Sequence, residues 1–192
     1  MKKAIAAICV IGALAGCGAR EFSAPRNLDN ACDLADERPA YMRAMRRAER
    51  EWGVPVHVQM ATFHQESRFV GDARPPHVYA LEVIPMGRMS SAFGYSQALD
   101  GTWQEYLRDT RNRRARRDDI RDATDFMGWY MNLSRERNGI ALEDARNQYL
   151  AYHEGHAGYR RQSYRAKPWL MRVADRVAQR AAIYEAQLAN CR

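Results

Sequence analysis

The chain has 192 residues, of which 46% are hydrophobic and 28% are charged, and this composition excludes a chain too polar to bury a core. The length fits one domain with a short appendage. The formal net charge of +7 favours an anionic partner, such as a membrane surface, a nucleic acid or an acidic polymer.

The first residues resemble the signal of a bacterial lipoprotein. Lys2 and Lys3 form a basic n-region, and residues 4–16 form an apolar segment that is too short to span a bilayer comfortably. This segment ends in Leu-Ala-Gly before Cys17, which resembles the lipobox, where the signal is cleaved and the cysteine is acylated. We therefore expect residues 1–16 to be a signal peptide and Cys17 to carry lipid. An ordinary secretory signal with an incidental Cys17 is the alternative.

The same resemblance implies a location for the protein. Gly18 follows the cysteine, whereas the sorting rules of enterobacteria-like cells associate an Asp at that position with inner-membrane retention. We therefore expect a periplasmic protein that its lipid anchors to the outer membrane. Cleavage would remove Lys2 and Lys3 and no acid, which lowers the net charge by two, from +7 to +5.

The four cysteines are distinguished by their positions in the chain. Cys9 leaves with the signal and Cys17 takes the lipid, so Cys32 and Cys191 remain. An oxidising compartment permits a disulfide between these two residues. Closing so long a loop would stabilise the fold by roughly 4–5 kcal/mol, less any strain. Two free buried thiols are the alternative.

Downstream of the lipid anchor, the sequence predicts a tether followed by a helical domain. Residues 17–35 show no apolar period, which leaves 36–192 as the folded domain. Apolar residues at helical spacing predict helices over residues 39–52, 55–68, 100–107, 118–138, 142–152 and 168–191. Prolines, glycines and serines interrupt residues 71–93, where 78–84 could form a strand of a small hairpin. The predicted fold class is all-α with one possible small β-hairpin.

The second predicted helix carries an acid at its end. Val56, Met60 and Phe63 fall on one buried face, and Glu66 continues along the flank of that face. A carboxyl group held against apolar side chains loses hydration, so its pKa rises and it can donate a proton near neutral pH. A surface Glu66 that pairs with Arg68 is the alternative.

Three short motifs follow one another in the order of a known family. They are Glu-Ser at 66–67, Gly-Tyr-Ser-Gln at 94–97 and Ala-Tyr-His-Glu-Gly at 151–155. Together they resemble the soluble-lytic-transglycosylase (SLT) domain, a lysozyme-like fold, over about residues 50–165. The sequence departs from the family pattern at His153, where Asn is usual, and at Ser96, where Met is common.

The resemblance implies an enzyme that cleaves the β-1,4 bond between N-acetylmuramic acid and N-acetylglucosamine in peptidoglycan. Ordinary glycosidases use two carboxylates, whereas this family manages with one, for which Glu66 is the candidate. Glu66 would protonate the glycosidic oxygen and then activate the 6-hydroxyl of the same sugar, which closes a 1,6-anhydro ring. No cofactor and no metal is implied. A lysozyme-like hydrolase and a catalytically silent wall-binding lipoprotein are the alternatives.

The motifs also supply candidate substrate-binding residues. The Tyr152 hydroxyl can hydrogen-bond a carboxyl or a substrate acetamido group, and the Gln97 amide can both donate and accept. A core position is the alternative for Tyr152. By resemblance, Ser90 or Ser91 lies close to Glu66. The full set of candidates is Ser90, Ser91, Tyr95, Ser96, Gln97, Tyr152 and His153.

A second catalytic acid is not expected. Asp72, Glu82, Asp100 and Glu105 are the nearest acids in sequence, and none of them has a motif of its own. Asp100 fits a helix cap and Glu105 fits a solvated helix face.

Two further patterns suggest other chemistry and are less convincing. His153 and His156 resemble part of a zinc motif, but a zincin helix needs His at i and i+4 and position 157 is Ala, so no metal site is predicted. The arginines of residues 111–117 would suit a nucleic acid, which the expected compartment excludes. They could instead touch anionic lipid or peptidoglycan carboxylates, or form a solvated face balanced by neighbouring aspartates. We expect peptidoglycan and, through the lipid, the membrane as partners, no nucleic acid, and a monomer.

Overall fold

The architecture is a bundle of helices with one small hairpin. The computed structural model describes residues 22–81 and 84–191. Within these ranges the helices are α1 (Ala31–Glu37), α2 (Pro39–Trp52), α3 (Val56–Ser67), α4 (Asp100–Asp109), α5 (Ile120–Asn138), α6 (Ala145–Arg160) and α7 (Pro168–Leu188), with a 3-10 helix at Ser163–Ala166. The strands β1 (His77–Ala80) and β2 (Ile84–Arg88) pair antiparallel. The predicted fold class is confirmed. None of the described helices combines the length and the apolar character needed to span a bilayer.

Local signals in the sequence set most of the helix ends. α2 begins with Pro39 and ends at Gly53, in agreement with the prediction. Asp119 caps α5, because its side chain accepts a hydrogen bond from the backbone N–H of Arg121 at 2.9 Å. In α6 the regular helix breaks at Gly155, which has φ 74° and ψ 156°, and a further helical stretch follows it. The fold therefore positions the last motif on a regular helix just before a kink.

The helix α3 lies at the centre of the domain. Val58, Met60 and Phe63 are fully buried, and so is the polar Gln59. The amide nitrogen of Gln59 donates to two backbone carbonyls, which satisfies its donors, whereas its Oε1 is buried without a hydrogen-bond partner among the described residues. α3 contacts α2, α5, α6 and α7. A helix enclosed on so many sides holds its C-terminal residues in fixed positions, and Glu66 is one of them.

The folded domain begins earlier than the sequence predicts. Leu28, Ala31 and Leu34 are buried, and α1 packs against α2 and α7. The tether predicted at residues 17–35 is therefore too long at its C-terminal end. Pro25 is also buried, and the Phe22 carbonyl accepts a hydrogen bond from the N–H of Gly71 at 3.0 Å, so the described chain packs on the folded domain from residue 22 onward.

Two interactions explain why this segment is folded. Asn30, a polar residue typical of a linker, caps α1 by accepting hydrogen bonds from the backbone N–H groups of Cys32 and Asp33. The segment is also held from the far end of the chain, since Cys32 forms a disulfide with Cys191, with their Cα atoms 5.4 Å apart. The structure therefore contains the disulfide and not two free thiols.

Candidate active site

Glu66 lies in the last turn of α3, which ends at Arg68 in a left-handed conformation. Its side chain is partly buried. Loss of hydration raises the pKa of Glu66 from 4.5 to about 7, and a hydrogen bond with Tyr149 offsets only part of this rise. No charged side chain among the described residues contributes to the shift, so the alternative of a pair with Arg68 is not found. Near neutral pH this carboxyl group can therefore either donate or accept a proton.

Tyr149 of α6 is the side chain that meets the Glu66 carboxyl group. Tyr149 is buried, and burial together with the nearby Glu66 charge raises the pKa of its phenol, so it remains a neutral hydrogen-bond donor. The sequence prediction missed this residue because the family motif points to Tyr152. The two tyrosines are three residues apart on one helix and therefore share a face, which is the signal that could have identified Tyr149.

Tyr152 connects α6 to the loop that contains the second motif. Its hydroxyl donates a hydrogen bond to the backbone carbonyl of Ser96 at 2.5 Å, and its ring packs edge-on against Tyr130 with centroids 5.0 Å apart. Burial and then the nearby Glu66 charge raise the pKa of the Tyr152 phenol. Tyr152 thus lies beside Glu66, but its donor is used by the protein and not by a carboxyl group. It supports the site and is partly buried.

The loop of the second motif is held by its own backbone. Gly94 has φ 80°, and a Cβ at this position would lie 2.1 Å from the backbone oxygen of Arg117, so only glycine fits. Gln97 also has a positive φ of 51°. Its amide nitrogen donates to the carbonyls of Ala73 and Gly94 at 3.0 and 2.8 Å. In the hydrogen bonds of the Gln97 side chain to described residues, the amide nitrogen is therefore the donor. These two bonds close the loop.

Burial contradicts two of the predicted substrate contacts. Tyr95 is buried, and its hydroxyl shares a 2.9 Å hydrogen bond with the hydroxyl of Tyr41. Ser96 is fully buried, and its hydroxyl has no hydrogen-bond partner among the described residues. The predictions that the side chains of Tyr95 and Ser96 bind substrate are therefore wrong. The motif places these residues inside the loop, where they support its shape.

Ser90 and Ser91 are exposed and hydrogen-bond to nearby backbone. The Ser90 hydroxyl accepts from the N–H of Ala92 at 3.3 Å, and the Ser91 hydroxyl accepts from the N–H of Asp100 at 3.1 Å. Among the described residues, neither hydroxyl forms a hydrogen bond with Glu66. The Ser91 hydroxyl thereby satisfies a backbone N–H group in the first turn of α4. The expectation that the Asp100 side chain caps this helix is wrong, because no side-chain cap hydrogen bond is present there.

The Asp100 side chain forms an ion pair with Arg117. Its carboxylate lies 2.7 Å from the guanidinium of Arg117, which also donates to the carbonyls of Ser91 and Ala98. Arg117 thus joins the start of α4 to the loop of the second motif. This arginine of the basic run is used to build the site and is not free to bind a polymer.

His153 lies on α6 one turn beyond Tyr149 and is exposed. Its Nδ1 lies 3.1 Å from the carboxylate of Glu154, and its ring meets the ring of Trp169 edge-on with centroids 5.3 Å apart. Because residues four apart on a helix share a face, Tyr149 and His153 lie on one face of α6. We call this face the wall of the site. His153 is available to a ligand.

Glu154 anchors this end of the wall. Its side chain is only 3% exposed and lies 2.7 Å from the ammonium group of Lys167. Burial alone would raise the pKa of Glu154, but hydrogen bonds from Lys167, Ser163 and His153 outweigh this effect and lower the pKa to about 2. Glu154 is therefore an ionised structural group and not a proton donor.

These features define a lysozyme-like helical domain with one partly buried carboxyl group at the end of its central helix. The family model described as "Transglycosylase SLT domain" matches residues 5–191, and the chain belongs to this family. Membership makes the protein one of a class of peptidoglycan-degrading enzymes with peptidoglycan as the bound substrate. No curated protein matches the sequence.

Proposed function

We propose that the protein is a peptidoglycan lytic transglycosylase that cleaves the β-1,4 bond between N-acetylmuramic acid and N-acetylglucosamine. Glu66 is its single catalytic acid and base. The observation that carries this proposal is the Glu66 carboxyl group itself, which has its pKa raised to about 7 by burial and faces Tyr149 without a cationic partner among the described residues. A general acid works best when its pKa lies near the working pH.

In the proposed reaction, protonated Glu66 first transfers its proton to the glycosidic oxygen. The bond between that oxygen and C1 of N-acetylmuramic acid breaks, and the acetamido group of the same sugar stabilises the cationic centre. The Glu66 carboxylate then removes the proton of the 6-hydroxyl as that oxygen bonds to C1. The products are a free 4-hydroxyl on N-acetylglucosamine and a 1,6-anhydro end, no water is consumed, and Glu66 is again protonated.

The surroundings of Glu66 support a mechanism with one carboxyl group. Two acids considered from the sequence are engaged elsewhere, since Asp100 pairs with Arg117 and Glu105 pairs with Arg137. Glu82 lies outside the described residues. A retaining hydrolase would need a second carboxylate about 5 Å from the first, and burial and Tyr149 alone account for the shift at Glu66.

Of the seven predicted contacts, four remain proposals once Tyr152 and the two buried residues are set aside. His153 is exposed on the wall beside Tyr149, and the Gln97 amide oxygen is left for a substrate N–H group because the nitrogen closes the loop. Ser90 and Ser91 are exposed and precede the second motif in the chain. Tyr152 acts by holding the Ser96 carbonyl.

The decisive experiment is mass spectrometry of the muropeptides that the soluble chain from residue 18 onward releases from purified sacculi. We expect products that end in 1,6-anhydro-N-acetylmuramic acid. Reducing ends, which are one water heavier, would make the enzyme a hydrolase. Sacculus binding without products would leave a wall-binding protein.

Two variants complete this test of the mechanism. Glu66→Gln keeps the shape of the side chain but has no ionisable group that could transfer a proton, so we expect it to release no product. Glu82→Gln should retain full activity. Loss of activity in Glu82→Gln would restore the possibility of a second acid.

We also propose that the protein is a lipoprotein of the periplasm, anchored to the outer membrane through Cys17, with residues 1–16 as its signal. The lipobox-like sequence supports this proposal. Palmitate labelling in a bacterial host should mark the parent chain and not Cys17→Ala. Labelling of both chains, or of neither, would contradict lipidation at this residue.

A further inference from the structure

The exposed face of α7 runs alongside the wall that contains Tyr149 and His153. Two contacts fix its direction: the rings of Trp169 and His153 lie 5.3 Å apart, and Asp175, the neighbour of Arg176 in the chain, pairs with Arg146 of α6 at 2.6 Å. α7 therefore runs antiparallel to α6 along this wall. The α7 strip, which we define as Trp169, Arg172 and Arg176, occupies positions i, i+3 and i+7 and so lies on one helix face.

The strip is exposed and positively charged. Trp169 is 50% exposed, whereas tryptophan side chains are highly buried on average. Arg172 and Arg176 are exposed and take part in no ion pair with another described residue. The two acids that flank this stretch are already paired, Glu154 with Lys167 and Asp175 with Arg146. The surface around Trp169 therefore attracts negative charge.

The strip is also rigidly mounted. Pro168 begins α7, directly before Trp169. The preceding 3-10 helix is fastened to α6, because Ser163 donates to the Glu154 carboxylate and Lys167 pairs with the same group at 2.7 Å. A surface whose backbone is already ordered binds a ligand without the entropic cost of ordering that backbone.

We propose that the α7 strip binds the N-acetylmuramic acid residues of the glycan strand next to the ring that Glu66 cleaves. Trp169 stacks on the apolar face of a sugar ring, and Arg172 and Arg176 pair with the lactyl carboxylates that are free where a strand has lost its stem peptides. The inference rests on the proposed function, because it takes the substrate to be peptidoglycan. It deepens that function by assigning the discrimination between acidic and neutral β-1,4 glycans to α7.

The test compares two soluble ligands in the Glu66→Gln background, where neither ligand is cleaved. One is peptidoglycan glycan strands from which an amidase has removed the stem peptides, so that a lactyl carboxylate remains on every second sugar. The other is the β-1,4 hexamer of N-acetylglucosamine, which has no carboxylate. We expect Trp169→Ala to weaken the binding of both ligands by about tenfold.

The charged residues of the strip should discriminate between the two ligands. We expect Arg172→Gln/Arg176→Gln to weaken only the acidic strands, by about tenfold, and to reduce the salt dependence of their binding. The matched control is Arg43→Gln/Arg46→Gln, which removes the same charge from exposed positions of α2, a helix that contacts neither α6 nor α7. The control should bind both ligands like the parent.

The outcomes for the strip and for the proposed function are separable. Unchanged binding of both ligands by Trp169→Ala would overturn the stacking role, provided that circular dichroism shows a folded variant. Equal losses for acidic and neutral ligands in the double arginine variant, or an equal loss in the α2 control, would overturn the charge recognition. If the unmodified chain releases no anhydro products from sacculi while the strip variants still lose binding, the strip stands and the proposed function fails.

Discussion

The carboxyl group of Glu66 loses water on folding without gaining a cation among the described residues. Burial raises its pKa from 4.5 to about 7, so between these values the folded chain holds a proton that the unfolded chain releases. Stability is therefore full below about pH 4.5 and declines as the pH rises through about 7. Burial of an ionisable carboxyl group therefore lowers the free energy of unfolding near neutral pH. Such a loss of stability is common at functional sites.

The first prediction follows from this sign. Glu66→Gln cannot ionise, so we expect it to be more stable than the parent at pH 8, by up to roughly 3 kcal/mol, and equally stable at pH 4. Urea unfolding of both chains at the two pH values measures the difference. A difference that does not change with pH would show that the pKa of Glu66 is not raised.

The second prediction concerns Tyr149. Its hydrogen bond lowers the pKa of Glu66, so in Tyr149→Phe that pKa should rise further. The acid remains protonated to higher pH, and the alkaline limb of the activity profile should therefore move upward, while the maximal rate falls because the carboxyl group is less well oriented. Tyr159→Phe, on the same helix but packed against Tyr164, should leave the profile unchanged. An unshifted profile in Tyr149→Phe would remove this residue from the site.

The sequence identified Glu66 and missed Tyr149 for a physical reason. The helical spacing of the apolar residues that precede Glu66 is a local pattern, and it predicts the burial of this helix. Which of two tyrosines on one helix face meets Glu66 depends on the rotation of α6 relative to α3, and that rotation is set by packing between helices far apart in sequence. The motif located the correct helix turn and not the correct side chain.

At the scale of elements, helix ends were predictable where a single residue determines them. Pro39, Gly53 and Asp119 each act on the backbone within a few residues. The packing of the segment around Leu28 on the domain was not predictable in this way. Leu28 is buried because α7 covers it, and its carbonyl accepts a hydrogen bond from the hydroxyl of Tyr184, a residue that lies at the other end of the chain.

The third prediction belongs to the loop of the second motif. Tyr152→Phe removes the donor to the Ser96 carbonyl and leaves a buried acceptor unpaired, which should cost about 1–2 kcal/mol of stability. We expect faster hydrogen exchange at residues 94–98 together with a partial loss of activity. Tyr130→Phe also loses a hydrogen bond to a carbonyl, that of Ala151, but this carbonyl lies outside the loop.

The comparison between these two variants isolates the role of the loop. Exchange at residues 94–98 should be faster in Tyr152→Phe and unchanged in Tyr130→Phe. If both variants exchange like the parent while Tyr152→Phe loses activity, Tyr152 contacts the substrate directly and the tie to Ser96 is incidental.

At the scale of the whole molecule, the two ends of the described chain are joined to each other. Ala31 donates its N–H to the side chain of Gln187 at 2.8 Å, and Arg180 pairs with Asp29 at 2.6 Å. The disulfide between Cys32 and Cys191 links the same two segments covalently. These contacts hold α1 against α7, the helix whose exposed face carries the proposed binding strip.

The fourth prediction separates the covalent link from these contacts. The disulfide closes a loop with a sequence separation of 159, and constraint of the unfolded chain sets an upper limit of about 5 kcal/mol on its effect. We expect Cys32→Ser/Cys191→Ser to fold, because the hydrogen bonds and the ion pair persist, and to lose about 2–4 kcal/mol of stability. Urea unfolding with and without a reductant measures this: the reductant should bring the parent to the level of the variant and leave the variant unchanged. Equal stability of the two chains without a reductant would mean that the noncovalent contacts alone determine how the chain ends are held, and a variant that cannot fold would mean that those contacts form only after the disulfide.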